Sequence, residues 1–461
     1  MIHRFSMKGV NILMDINSGS VHVVDDAAYA LSAVVAPGMT EECPEDILLS
    51  LKDSFSEEQL RDSYRELYEL EQNGYLFADD DYIDIASAIP SEAPIKALCL
   101  HVSHDCNLRC KYCFASTGDF GTGRKIMSFD VAKKAIDFVI ERSGKRRNIE
   151  IDFFGGEPLM AMDTVKRTVE YARSLEKEKN KKFRFTITTN GLLLNDENID
   201  YINANMDNCV LSLDGRRSVN DEMRPTASGC GSYDVIVPKF KKLVAQRDKN
   251  LDYYVRGTFT SKNLDFSNDV LAIADEGFDQ LSVEPVTSEP GSGYDISEKD
   301  LPRIGEEYEK LVDIMQERRK AGKGFNFFHF MVDLQQGPCV IKRLRGCGAG
   351  YEYVAVTPDG EIYPCHQFVG HPEFCQGNIF DGTFDMNISE QFSSLNVCSR
   401  PKCQDCWAKF YCSGGCAAAN FNMNGNLKDP YEMGCELQKK RLECAIYLKA
   451  AELMEEAETA E

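Results

Sequence analysis

The chain has 461 residues, with 74 acidic side chains against 52 basic ones and a formal net charge of −22. That balance argues against a nucleic-acid partner, whose phosphates need clustered Lys and Arg, and fits a cytoplasmic protein that handles a neutral or basic peptide. MIHRFSMKGV lacks the apolar core of a signal peptide and no apolar run approaches the roughly 18 residues of a membrane span, so the 18 cysteines point to metal binding rather than disulfides.

Residues 1–94 read as a separate small module. NILMD (11–15) and VHVV (21–24) are short β-rich runs joined by INSGS (16–20), a hairpin connection. A helix is expected from Pro44, since proline suits the first helical position and two acids follow it. The next helix opens on Ser56-Glu-Glu-Gln59, a capping box, and Leu60, Tyr64, Leu67 and Tyr68 recur at helical spacing along it. A winged-helix-like unit of this kind can bind DNA, but its helix carries Glu57, Glu58, Asp62, Glu66, Glu69 and Glu71, which repel phosphate. A structural cap is another reading. Residues 86–94, with Ser87, Pro90, Ser91 and Pro94, read as a linker.

From residue 95 the pattern changes to alternating strands and helices. Strands are expected over 97–102, 149–154, 183–188, 209–213, 253–259 and 281–285, with amphipathic helices over 128–142, 163–179, 234–247 and 265–275. Strands alternating with helices imply a parallel sheet with right-handed crossovers. Six units make a partial (β/α)6 TIM-type barrel over 95–324, its outer ring closed by a charged helix over 297–320. Sites in such barrels collect on the loops after the strand C-termini.

The loop after the first strand reads CNLRCKYC, placing Cys106, Cys110 and Cys113 at C-x3-C-x2-C spacing. Three thiolates fall one short of a closed structural zinc shell or a complete iron–sulfur site. A [4Fe–4S] cluster held this way keeps one iron free for a substrate; a loop of three reduced cysteines is the bland alternative. The second strand ends in Gly155-Gly156-Glu157-Pro158, where glycines admit a close ligand and Glu157 can accept from a cationic group. The third ends in Thr188-Thr-Asn190-Gly, and the fourth in Ser212-Leu-Asp214-Gly, whose polar side chains suit ribose hydroxyls or a carboxylate.

The three-cysteine spacing, with Tyr112 before the last cysteine, resembles the radical S-adenosylmethionine (SAM) superfamily. In that family the Gly155–Glu157 motif meets the methionine amino group, and Arg224 lies where related enzymes use an arginine for the cofactor carboxylate. The resemblance also implies that the stretch 281–286, at the sixth strand, would pack on adenine. Farther on, Cys347, Gly360-x4-Cys365, Cys403-x2-Cys406-x5-Cys412-x3-Cys416 and Cys435 resemble the SPASM extension of peptide-modifying radical enzymes, here residues 325–461 with a C-terminal helix. The resemblance implies two auxiliary [4Fe–4S] clusters and therefore three in all. Cys403, Cys406, Cys412 and Cys435 would hold one. Cys347, Cys365 and Cys416 would hold the other, with Cys339 a candidate fourth ligand and an open iron the alternative. Zinc knuckles are a further reading of the C-x2-C pairs, but they leave many ordered cysteines unexplained.

NILMDINSGSVHVVDDAAY resembles the PqqD-like leader-recognition element of such enzymes, which adds an extended peptide to a sheet edge. Val21, His22, Val23 and Val24 would form that edge. The whole arrangement resembles maturases of SCIFF peptides (six cysteines in forty-five residues). It implies reductive cleavage of SAM to a 5′-deoxyadenosyl radical, hydrogen abstraction from an acceptor residue such as threonine, and a thioether to a cysteine of the precursor peptide. A flavodoxin or ferredoxin would be the electron donor. Sulfatase maturation to formylglycine is a rival, but those enzymes place aspartate after the cysteine corresponding to Cys365. Here that residue is His366, a candidate base. A non-catalytic zinc or iron–sulfur adaptor is the rival from another class.

Overall fold

A computed structural model describes residues 1–90, 92–334 and 340–460. At its N-terminus β1 (Ile2–Met7), β2 (Val10–Asp15) and β3 (Val21–Val24) form an antiparallel meander in that order. The sequence reading does not include β1, although Phe5 and Met7 alternate inward along it. It also lacks α1 (Asp26–Leu31), which is capped by Asp25: the carboxylate accepts from the Ala28 N–H at 2.7 Å. In α2 (Glu45–Leu51) Pro44 is the capping residue rather than the first helical one. The expected capping box between Ser56 and Gln59 is formed at the start of α3 (Glu57–Gln72). Leu13 of β2 packs with Leu31, Leu48, Leu60, Tyr64 and Leu67 of these helices in a small core, each fully buried large side chain contributing about 1.5–3 kcal/mol.

The connector is more structured than its composition suggests. Residues 86–88 close a helix, α4 (Tyr82–Ala88), in a segment read from its prolines and serines as a linker. Tertiary contacts account for it: the Tyr82 ring lies 4.1 Å from that of Phe410, and its hydroxyl accepts from Arg343 at 3.1 Å.

The six expected strands are all present: β4 (Ala97–His104), then, after the two-residue β5 (Lys125–Ile126), β6 (Asn148–Gly155), β7 (Lys182–Thr189), β8 (Asn208–Ser212), β9 (Asp252–Phe259) and β10 (Gln280–Pro285). They run parallel in the order β10-β9-β8-β7-β6-β4. Helices α5 (Phe129–Arg142), α6 (Met162–Lys179), α7 (Asp196–Asn205), α8 (Arg217–Met223), α9 (Tyr233–Gln246) and α10 (Ser267–Asp275) intervene, and α11 (Leu301–Lys320) follows β10. Leu98, Leu100, Ile151, Phe153, Val255 and Val283 face these helices and are fully buried, so alternate residues of the same strands face the concave side.

The sheet does not close. One flank ends in the short β11 (Asn326–Phe327). On the other, β12 (Tyr353–Val356) pairs parallel to β4 and leads antiparallel into β13 (Glu361–Tyr363) and β14 (Gly377–Asn378). The expected hairpin of the cysteine-rich region is therefore an extension of the barrel sheet. A final helix, Glu432–Ala460, lies along α11, tied to it by Arg319 to Glu452 at 2.7 Å and to Glu455 at 2.6 Å.

Candidate active site

Beyond β4 the chain turns at Asp105 into the Cys106 loop, and the end of β6 fixes its path. The Gly156 N–H donates to the Ser103 carbonyl at 2.7 Å, and the Glu157 N–H to that of Asp105 at 2.8 Å. A Cβ on Gly155 would stand 2.2 Å from the Ser103 carbonyl oxygen, and one on Gly156 2.2 Å from that of Asp105. The loop's own backbone makes a close approach that these glycines permit.

Glu157 is anchored within the protein. Its carboxylate, 1% exposed, accepts from the Leu159 N–H at 3.0 Å, the Thr189 hydroxyl at 2.7 Å and the Asn190 N–H at 2.8 Å. It ties the end of β7 to the end of β6. The Asn190 side-chain amide in turn donates to Asn107 at 2.8 Å and lies 3.6 Å from the Cys106 sulfur.

Tyr112, Asp214 and Arg224 meet in one buried trio. The Tyr112 hydroxyl donates to the Asp214 carboxylate, 2.7 and 2.8 Å from its two oxygens, and accepts from Arg224 at 2.9 Å. The Thr258 N–H adds a third bond to Asp214 at 3.1 Å. Both oxygens of Asp214 thus accept hydrogen bonds inside the protein. Arg224 differs: its Nε is buried and without a partner, which costs about 1–3 kcal/mol if nothing anionic meets it. A cofactor carboxylate suits that donor. Ser212 ends β8 half-buried, in register with Arg256 of β9. Burial pushes the Cys106 thiol up to about 12 and that of Cys110 up to about 11, the latter against the Arg224 charge. Unaided, these sulfurs stay protonated; a bound metal centre is what makes them thiolates.

The C-terminal thiols assemble into two groups. Cys403, Cys406, Cys412 and Cys435 lie within electrostatic reach of one another and wall a cavity of about 450 Å³. Cys347, Cys365 and Cys416 form the other group. Cys339 lies outside the described residues. Every described cysteine is a free thiol. Among the described residues no three His, Cys, Asp or Glu side chains converge on the single point that one metal ion requires; a cubane spreads its ligand sulfurs over the corners of a larger tetrahedron. Cys43, Cys99, Cys209 and Cys444 are buried, and Cys230 is exposed.

His366 sits between the two halves of the site. Its ring is 4.8 Å from that of Phe154 on β6 and 5.7 Å from that of Phe114 beside Cys113. Its Nδ1 is 3.2 Å from the Tyr353 hydroxyl. Burial lowers its pKa to about 4, so the imidazole is neutral near pH 7 and a poor base. The sequence reading passes over Tyr353, Arg256 and Glu284. The available signal was a charged or hydroxylated residue at the concave position of an otherwise apolar strand.

In the N-terminal module β3 is a free sheet edge with Val23 43% exposed. Val21 and Val24 are half-buried, and the His22 ring is 3.3 Å from the Tyr75 carbonyl. The opposite edge strand, β1, is covered by the C-terminal region. His3 stacks on Trp407 with centroids 3.7 Å apart and lies 3.1 Å from Glu443. Among the described residues no helix is long and apolar enough to cross a membrane.

Comparison with known proteins agrees with this geometry. The Radical SAM superfamily matches residues 100–236, and the iron-sulfur cluster-binding SPASM domain matches residues 347–407. A cysteine-type anaerobic sulfatase-maturating enzyme of Clostridium novyi is 25% identical over 68% of this chain and 85% of its own. In fold, the chain resembles anSMEcpe with bound AdoMet, at a TM-score of 0.63 and 22% identity over 77% of this chain and 98% of that one. It also resembles Streptococcus suis SuiB bound to precursor peptide SuiA, at a TM-score of 0.50 and 17% identity over 94% and 98%. The likeness to SuiB reaches into the N-terminal module. These domains imply S-adenosylmethionine and iron–sulfur clusters as cofactors. The chain carries a radical SAM domain followed by a SPASM domain.

Proposed function

We propose that this protein installs an intramolecular thioether between a cysteine sulfur and a carbon of an acceptor residue, such as threonine, in a ribosomally made cysteine-rich precursor peptide. One observation carries the reading: Cys347 and Cys365 flank a hairpin hydrogen-bonded to β4, the strand that delivers the Cys106 loop, Cys416 joins them from the start of a later helix, and His366 beside Cys365 lies 5.7 Å from Phe114 beside Cys113. A position suited to a substrate sulfur thus adjoins one suited to S-adenosylmethionine.

When bound, S-adenosylmethionine and its reduced cluster supply a 5′-deoxyadenosyl radical able to remove hydrogen from an unactivated carbon. Cys106, Cys110 and Cys113 would hold that cluster, and Arg224 would take the cofactor carboxylate. Tyr112, Asp214, Asn190 and Glu157 orient these groups, while Gly155 and Gly156 let the loop lie against β6. Cys403, Cys406, Cys412 and Cys435 would hold one auxiliary cluster. Cys347, Cys365 and Cys416 would hold the other, its fourth position open to a substrate thiolate or to Cys339. His366, neutral and held by Tyr353, contributes packing and a hydrogen bond. Thioether formation removes one hydrogen atom from carbon, one proton from the thiol and one electron, which a cluster held by Cys347, Cys365 and Cys416 would accept. Orienting carbon and sulfur together is the protein's task.

The leader of the peptide would add to β3 along Val21–Val24; SuiB, whose fold extends over the same module, is known bound to its precursor peptide. A flavodoxin or ferredoxin would supply electrons. The test is mass spectrometry of a cysteine-rich peptide encoded beside this gene, incubated with reconstituted enzyme. A loss of two hydrogens per bridge, with about twelve irons per chain, is expected. Formylglycine in a sulfatase peptide would replace this reading with the rival oxidation. Zinc without sulfide would remove both.

A further inference from the structure

The concave face of the open barrel carries charges that the cofactor site does not use. On β9 Tyr253, Val255 and Phe259 are buried beneath the helices, so Arg256 projects from the opposite face. On β10 Leu281 and Val283 are buried likewise, which leaves Ser282 and Glu284 beside it. The register sets Ser212, Arg256 and Ser282 in one row across β8, β9 and β10. Arg256 donates to the Glu284 carboxylate at 2.5 Å, and its side chain keeps 52% of its surface open.

The surroundings of this pair bear on its role. Toward β8 lies Ser212, at the end of the strand that leads into the Asp214–Tyr112–Arg224 trio. On the auxiliary side, His366 and Cys416 lie within its electrostatic reach. Glu284 also borders a cavity of about 760 Å³ walled by Cys416, His329 and Arg441. His329 lies 3.2 Å from Ser282 and 3.2 Å from Arg441, which braces the carboxylate side of the pair. A guanidinium and a carboxylate side by side and half open, the carboxylate backed by His329 at 3.7 Å, match the carbonyl and N–H that an extended peptide presents together.

We propose that Arg256 and Glu284 are the positioning residues for the substrate's main chain: Arg256 donates to a peptide carbonyl and Glu284 accepts from a neighbouring N–H. They would hold the reacting segment between the cofactor and the Cys347, Cys365 and Cys416 group. This inference rests on the peptide-substrate reading.

The test uses reconstituted holoenzyme and a synthetic cysteine- and threonine-rich peptide with blocked ends. Arg256→Gln should raise the peptide Kd about 10- to 100-fold, the range for losing a charge-assisted hydrogen bond, and Arg256→Lys should restore part of it. The amount of 5′-deoxyadenosine released per modified peptide should rise, because a loosely held peptide meets the radical in the wrong place. Glu284→Gln on top of Arg256→Gln should add less than it does alone. Unchanged peptide affinity and unchanged coupling overturn the inference, as does an equal loss of S-adenosylmethionine affinity, which would make Arg256 a cofactor ligand. If the wild-type enzyme cleaves S-adenosylmethionine but binds no peptide, the substrate reading fails and this inference with it.

Discussion

The thiols of the Cys106 loop come from a single run, Cys106 to Cys113, whereas the C-terminal ones come from stretches as far apart as Cys347 and Cys435. The loop is positioned by backbone: two strand-end hydrogen bonds and two glycines against carbonyl oxygens. The C-terminal groups depend on packing between a hairpin, short helical turns and the first turn of the final helix. A site built from one loop can be damaged at one point. A site gathered from many segments exists only when all of them have folded.

The loop is the place to break this contrast most severely. Replacing Cys106, Cys110 and Cys113 together by Ala should abolish 5′-deoxyadenosine formation and lower iron from about twelve to about eight per chain. Full loss of iron would show that the two regions are not independent. Gly156→Ala attacks the loop's support without touching a sulfur. The added Cβ, 2.2 Å from the Asp105 oxygen, should cost about 1–3 kcal/mol by overpacking and displace the loop. Cofactor cleavage should fall at least about tenfold, since small misplacements cost that much or more, with auxiliary iron retained. Wild-type cleavage would mean that the strand end does not set the loop. The smallest effect is expected at the N-terminal contact. His3→Ala removes the stack on Trp407, the chain's one tryptophan, and about 0.5–1.5 kcal/mol of aromatic pairing. A red shift of tryptophan emission should accompany it; an unmoved spectrum would mean that β1 does not shield that ring in solution.

The barrel strands were legible because each combines apolar alternation with a polar turn at its C-terminal end. The three-cysteine loop was legible because its ligands are local. Segments ordered by distant partners were hidden. Tyr82 belongs to a helix through Phe410 and Arg343, and β1 is fixed partly through Trp407. The internal anchoring of Glu157 and Asp214 was hidden for a related reason. A carboxylate at a strand end reads as a ligand group, and only the fold reveals that internal donors already occupy it. Arg256 and Glu284 went unread because a charged residue inside a strand gains meaning only when the concave face is seen to stay open.

The pairing of β12 with β4 also has a kinetic consequence. Two redox-capable regions joined by a flexible connector would exchange electrons at a rate that fluctuates with every change of separation. Here Tyr353 to Val356 lie in register with Ala97 to Leu100, so the regions share one hydrogen-bonded ladder. In the proposed reading, clusters held at the Cys106 loop and beside the hairpin would keep a nearly constant separation, because the ladder resists relative movement of the strands that carry them.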